Sequence, residues 1–132
     1  MAIWSIMMIC ARCTTAVSPD QTWCLVSIGQ RRRQPLAQIL KKKGFWTLEL
    51  TVNDQVLTPR ADTETLVEWA LEIELPPKAR VIDLCTGSAC IAAALASERP
   101  DWQLAATELS ADAFTLAQTN LTDLDYSDRV QL

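Results

Sequence analysis

An alternation of strand and helix signals beginning at residue 80 constrains this chain more than any other feature. Residues 80–84 read as a short apolar strand and residues 88–99 as an alanine-rich helix. Residues 102–108 read as a second strand, a second helix follows Ser110, and residues 129–132 read as a third strand. Strands that alternate with helices pair in parallel, because each helix returns the chain over the sheet through a right-handed crossover. Pro100-Asp101 breaks the first helix. Ser110 offers an N-cap, and Asp112 puts an acid in the first turn, where the helix dipole favours it. Ile91, Ala94 and Leu95 belong to the close-packing first helix, while Ala113, Leu116, Ala117 and Leu121 form the apolar face of the second. The expected fold class is therefore α/β.

The text before residue 80 has a different grain. Residues 35–40 read as a short helical turn with Pro35 at its first position. Residues 45–52 alternate apolar and polar with period two, which predicts one strand. Asn53-Asp54 gives a turn signal, and residues 55–58 are expected to return as the second strand of a hairpin. Asp62 or Thr63 is expected to cap a helix running to about Glu74, with Leu66, Ala70 and Ile73 on its core face and Val67 and Leu71 beside them. Pro76-Pro77 stops it. The expected organisation has a leader of uncertain structure over residues 1–30. A linker, β-hairpin and helix follow over 31–75, and the α/β unit over 78–132. Residues 2–11 are apolar, but no Lys or Arg precedes them, so the basic region of a signal peptide is lacking. No apolar run approaches the length of a membrane span.

Composition removes several chemistries. The chain has no histidine, which excludes Ser-His-Asp and Cys-His catalysis and every His-ligated metal site. Its three glycines, Gly29, Gly44 and Gly87, are too few and too scattered for a phosphate loop with several glycines. Of five cysteines, Cys10 and Cys13 form a C-x-x-C with Cys24 downstream, but neither a fourth thiolate nearby nor an imidazole completes a zinc site. No strand precedes the pair, as a redox motif needs. No metal is expected, the odd cysteine count argues against a disulfide framework, and the C-x-x-C reads as unpaired apolar filler. The net charge of −4 hides an asymmetry: residues 1–60 carry eight basic and three acidic groups, residues 61–132 four and thirteen. Six basic residues and no acid lie between Arg31 and Lys43, which reads either as a solvated basic turn or as a surface for RNA or an acidic partner.

The chemistry is expected at the first strand–helix junction, Val81-Ile-Asp-Leu-Cys-Thr-Gly-Ser-Ala-Cys-Ile91. In a doubly wound sheet the ligand lies beyond the carboxyl ends of the strands. A loop of small residues lets the backbone approach a cofactor closely. Glu108 stands twenty-one residues after Gly87, at the end of the next strand, where a carboxylate accepts hydrogen bonds from both ribose hydroxyls. Together these point to an adenosine-containing cofactor; the structural alternative is a Thr-Gly-Ser turn that merely enters a core helix.

Five segments occur in one order: Pro35-Leu-Ala-Gln-Ile-Leu, Gly44-Phe-Trp, Val56-Leu-Thr-Pro-Arg-Ala-Asp-Thr-Glu64, Asp83-Leu-Cys-Thr-Gly-Ser-Ala-Cys-Ile-Ala92 and Ala96-Ser-Glu-Arg-Pro100. Over roughly residues 31–132 they resemble the PrmC/HemK family, methyltransferases that modify a glutamine of peptide chain release factors. The Thr-Pro-Arg-x-Asp-Thr-Glu stretch is the specific part; the Asp83 loop resembles class I methyltransferases in general. The resemblance implies the N-terminal part of a Rossmann-like domain that binds S-adenosyl-L-methionine, preceded by a substrate-side hairpin. It implies that Asp83, Cys85, Thr86, Gly87, Ser88 and Glu108 lie around the cofactor, and that Phe45, Arg60 and Glu64 shape the substrate side. It further implies a release factor as protein partner, a cytoplasmic setting, and neither membrane nor specific nucleic acid as partner.

Departures from the family pattern are informative. Cys85 and Ala89 stand where the family's loop usually carries glycine, and a positive φ at Cys85 would cost about 1 kcal/mol or more. Ala61 replaces the usual proline after Arg60, and Gln38 an aromatic. The Asn-Pro-Pro-Tyr motif that receives the target glutamine does not occur, so a truncated member, inactive alone, is expected. The first strand of the unit, central in the family fold, is then an edge open to self-association. Two other readings compete: a nicotinamide-dependent oxidoreductase half-domain, which Asp83 inside the strand disfavours, and a non-enzymatic remnant that binds protein or RNA.

Overall fold

A computed structural model describes residues 34–132. The leader, the C-x-x-C with Cys24, and Arg31 to Arg33 lie outside the described residues. Helix α1 (Leu36–Leu40) follows Pro35, whose φ of −58° suits a helix start; Lys41, at φ 57°, ends it in left-handed backbone with its N–H on the Ala37 carbonyl. Residues 42–132 form one compact unit.

That unit opens with an antiparallel hairpin, β1 (Lys42–Phe45) and β2 (Leu48–Thr51), paired Lys42 to Thr51 through Phe45 to Leu48. The single strand expected over 45–52 is therefore cut by a two-residue turn at Trp46-Thr47. Periodicity failed here because Phe45 and Leu50, fully buried, face the core from opposite arms. Trp46 takes φ 56°, the positive φ that primed hairpin turns need at their first loop position and that glycine usually supplies. Two long-range bonds hold it: its backbone N–H donates to Glu64 Oε1 at 2.9 Å and its indole Nε1 to Glu98 Oε1 at 2.7 Å. Residues 55–58 are not a strand. Asn53 Oδ1 accepts from the Gln55 N–H at 2.9 Å, a local turn that leads the chain away from the hairpin.

Helix α2 (Asp62–Glu72) starts without a side-chain cap; Ala61 holds the N-cap position. Tight backbone bonds from Thr63 to the Arg60 carbonyl and from Glu64 to that of Ala61 serve instead. Only Val67 is buried on α2, with Ala70 and Leu71 half-buried; Leu66 and Ile73, expected in the core, are exposed along with Trp69. The helix stops at Glu72, two residues early, as Ile73 turns extended. Arg99 closes its end, donating to the Leu71 carbonyl at 2.8 Å while stacking its guanidinium 5.6 Å from the Trp102 ring.

The second half follows the expected order: β3 (Arg80–Leu84), α3 (Cys90–Glu98), β4 (Gln103–Thr107), α4 (Ala111–Asp123) and β5 (Val130–Gln131). The three strands pair in parallel in the order β3-β4-β5, so β3 is one edge of this sheet among the described residues. Ser110 caps α4 as expected, its hydroxyl accepting from the Ala113 N–H at 3.4 Å. The alanines of α3 make it thin enough to bury Ala92 to Ala96 completely, so β3, β4 and α2 approach it closely. Leu104, Ala106 and Val130 bury the covered face of the sheet. The opposite face, with Ile82 57% and Leu84 67% exposed, is open among the described residues.

Candidate functional site

Backbone geometry sets the junction between β3 and α3. Cys85, Gly87 and Ala89 have φ 59°, 59° and 63°, so every second residue of the loop is left-handed. This is why α3 starts at Cys90 and not at Ser88 as its composition suggests: left-handed Ala89 is its N-cap. A Cβ at Gly87 would meet nothing within 4 Å, so glycine is needed there for its φ and not for space. At Cys85 and Ala89 an L side chain in the same region costs about 1–2 kcal/mol each. The loop stays in place because its polar groups are satisfied. Thr86 N–H bonds the Thr107 carbonyl at 2.9 Å, and Ala89 N–H the Thr86 carbonyl at 3.0 Å.

Two carboxylates flank the loop from the ends of adjacent parallel strands. Asp83 accepts from the Thr86 hydroxyl at 2.6 Å through Oδ2. Burial pushes its pKa above the usual carboxylate value, the Thr86 bond opposes this, and the charge of Glu108 adds to the rise. Glu108 accepts from the Gly87 N–H at 2.9 Å through Oε2, and from the N–H groups of Leu109 and Ser110 at 2.9 and 3.0 Å through Oε1. Backbone bonds from Ser110 and Gly87 hold its pKa below the usual range. The outcome is one tightly held anion and one partly buried acid of raised pKa across a loop with a left-handed residue at every second position. Three of the roughly four lone pairs of Glu108 are taken, which leaves one on Oε2 for a further donor such as a ligand hydroxyl. The Cys85 thiol is exposed and lies on the loop itself. Cys90 is buried, which raises its pKa.

Of the expected site residues, the structure brings Asp83, Thr86, Gly87 and Glu108 together by direct hydrogen bonds; Cys85 and Ser88 are in the same loop, Ser88 almost fully buried. The substrate-side residues are not gathered there. Phe45 is in the core, 1% exposed, and offers no surface to a partner. Glu64 holds the hairpin turn through Trp46. Arg60 is exposed, and its side chain makes no hydrogen bond among the described residues.

Sequence reasoning missed Asn120. It is 1% exposed on the inner face of α4. Its Oδ1 accepts from Thr51 N–H at 2.8 Å, and its Nδ2 donates to the carbonyls of Thr51 at 3.0 Å and Ser88 at 2.9 Å. The available signal was a lone amide among Leu116, Ala117 and Leu121 on an otherwise apolar face.

Two concave regions lie elsewhere. One of about 560 Å³ is lined by Lys78, Trp102 and Arg129, among others; one of about 350 Å³ lies along Arg80 to Ile82 and Gln103 to Ala105. Neither is lined by Asp83, Gly87 or Glu108. No helix among the described residues is long and apolar enough to cross a membrane.

No family model matches the sequence. Individual curated proteins do. The chain is 47% identical over 111 residues to the release factor glutamine methyltransferase of Shewanella oneidensis, 83% of this chain and 39% of that protein. It is 42% identical over 112 residues to the protein of the same name from Escherichia coli, 83% of this chain and 40% of that one. With that of Coxiella burnetii the identity is 48% over 89 residues, 66% of this chain and 32% of that protein. The chain thus spans about two fifths of the length of these relatives, or less.

Proposed function

The chain belongs to the PrmC/HemK family of release factor glutamine methyltransferases, and from that premise we propose that its β3–α3 junction and Glu108 form the S-adenosylmethionine side of the family's site. When bound, the cofactor supplies a methyl group on a sulfonium. In the family reaction the acceptor is the side-chain amide nitrogen of a release factor glutamine. The substrate-side hairpin belongs to the same proposal.

The observation that carries the reading is the arrangement at the strand ends. Glu108 is fixed by three backbone N–H groups and kept ionised, with one lone pair of Oε2 left for a ribose hydroxyl. Gly87 beside it carries no side chain and has open space around it, so an adenosine ligand can approach its backbone closely. Asp83, tied to Thr86, holds the methionine end of the cofactor in this reading. Cys85 brings an exposed side chain onto the loop, so affinity is weak, whereas the methyl of Ala89 is buried in the core. The nicotinamide reading is disfavoured because Asp83 is the penultimate residue of β3, ahead of the loop. For transfer itself, positioning and charge placement do most of the work in such a site. Arg60 and the hairpin would serve the acceptor side, with Glu64 fixing the turn and Phe45 supporting it from the core.

Calorimetric titration tests this. S-adenosylmethionine binds weakly in the expected outcome, nicotinamide dinucleotide does not, and Glu108→Ala abolishes the signal. The ribose bond lost is worth roughly 1.5–3 kcal/mol. Unchanged affinity in Glu108→Ala places the ligand elsewhere and overturns the assignment.

A further inference from the structure

Antiparallel pairing determines what β2 can offer its surroundings. A two-residue turn makes Phe45 and Leu48 the hydrogen-bonded closing pair, and alternation then leaves Lys42 opposite Thr51 without mutual bonds. Thr51 therefore points its peptide N–H and C=O away from β1, along a strand edge that packs against α4. A buried strand edge needs partners for these groups. Asn120 supplies them, binding both with its own amide as another strand would. One Nδ2 hydrogen remains, and it goes to the Ser88 carbonyl, between the left-handed Gly87 and Ala89.

We propose that Asn120 is a positioning residue that couples the Cys85–Ala89 loop to the hairpin, so that the state of the loop is felt at β2. Three features carry this. The amide is buried, so water does not compete for its bonds. Both Nδ2 hydrogens are committed, one to each region, so rotating the amide to suit one breaks the bond to the other. The partners on each side are backbone atoms, whose displacement moves the chain and not merely a side chain. The functional meaning of the coupling rests on the cofactor reading above: a ligand that fixes the loop would also fix the hairpin, whose turn is held by Glu64 of the substrate-side set.

Amide hydrogen exchange at Thr51 in the full chain, followed by NMR, tests the coupling without any ligand. Asn120→Ser keeps a small polar group too short to reach either partner, and speeds Thr51 exchange roughly tenfold, the loss of about one buried hydrogen bond. Ala89→Gly frees the loop beside the Ser88 carbonyl and speeds Thr51 exchange several-fold in the native background, but adds nothing in Asn120→Ser. If Ala89→Gly leaves Thr51 exchange unchanged, or if its effect persists in Asn120→Ser, the coupling is wrong. Should Asn120→Ser fail to fold, the response of Thr51 to Ala89→Gly in the native background still decides. A second arm adds S-adenosylmethionine. Slower Thr51 exchange together with a shifted Gly87 amide supports both readings. A shifted Gly87 amide with Thr51 unchanged overturns the coupling alone. An unmoved Gly87 amide overturns the cofactor reading, and the ligand-free arm still decides the coupling.

Discussion

The strand–helix junction and the hairpin meet the same difficulty by different means. Each reverses the chain through residues with side chains in left-handed backbone: Cys85 and Ala89 at the junction, Trp46 in the hairpin turn. At the junction the restraint is mostly nearby backbone at the end of a parallel sheet: the carbonyls of Thr107 and Thr86, and the Gly87 N–H on Glu108. In the hairpin it comes from two carboxylates on separate helices, 18 and 52 residues away in sequence. The junction is thus shaped by the sheet it ends, whereas the turn is shaped only once α2 and α3 have packed. The first is suited to a site that exists before its ligand arrives; the second to one that the rest of the unit adjusts.

The largest effect expected from this contrast is at the hairpin. Glu64→Ala removes the acceptor of the Trp46 N–H and leaves an unusual φ held only by the indole bond to Glu98. A loss of about 1–2 kcal/mol is expected, since Glu64 is only half-buried. It should fall mainly on the hairpin, read as faster exchange in β1 and β2, with a smaller change at Gly87 carried through Asn120. Uniform loosening of both regions would erase the distinction.

Glycine at the strained loop positions sharpens the junction side. Cys85 is exposed, so Cys85→Gly relieves left-handed strain at no packing cost and should stabilise the chain by up to about 1 kcal/mol in a urea melt, after the flexibility glycine adds. Ala89 is fully buried, so Ala89→Gly also forfeits a buried methyl, about 0.8 kcal/mol, and should change stability little. Equal effects at the two positions would mean that the φ values do not store the strain assigned to them.

The smallest effect is the pH dependence of the two carboxylates. Glu108 has a lowered pKa in the fold, so its contribution is fully present above the ordinary glutamate value and is lost as pH falls through the lowered one. Asp83 has a raised pKa, so stability is favoured below the ordinary aspartate value and is lost as pH rises through the raised one. Glu108→Gln should therefore be less stable than the native chain at neutral pH and converge with it in acid, while Asp83→Asn should gain relative stability as pH rises through that window. Parallel pH curves for both substitutions would contradict the opposed environments.

The contrast also explains what the sequence reveals by itself. The β3 to β5 unit was legible because its determinants are local: an alanine-rich run, a Ser110 cap, strands bounded by polar breaks. The junction was legible only in part: the sequence raises the cost of a positive φ at Cys85, but not the helix start at Cys90, which is delayed because Ala89 is left-handed too. The hairpin was misread because a tryptophan occupies the turn position, and no local rule places it there; Glu64 and Glu98 do. The inner face of α2 was misread for a related reason: Leu66, Trp69 and Ile73 form a stripe as apolar as the one that packs, and only tertiary contact chooses Val67. Asn120 escaped because a single amide on an apolar face does not reveal which distant backbone it satisfies.

The central claim is that the junction and Glu108 form a preset cofactor site. Titrating S-adenosylmethionine into the isotopically labelled chain while following backbone amides tests it most directly. The largest shifts are expected at Gly87, Leu109 and Ser110, whose N–H groups already meet the Glu108 carboxylate. Shifts centred instead on Ile82 and Ala105, along the open sheet face, or no shifts at all, would contradict it.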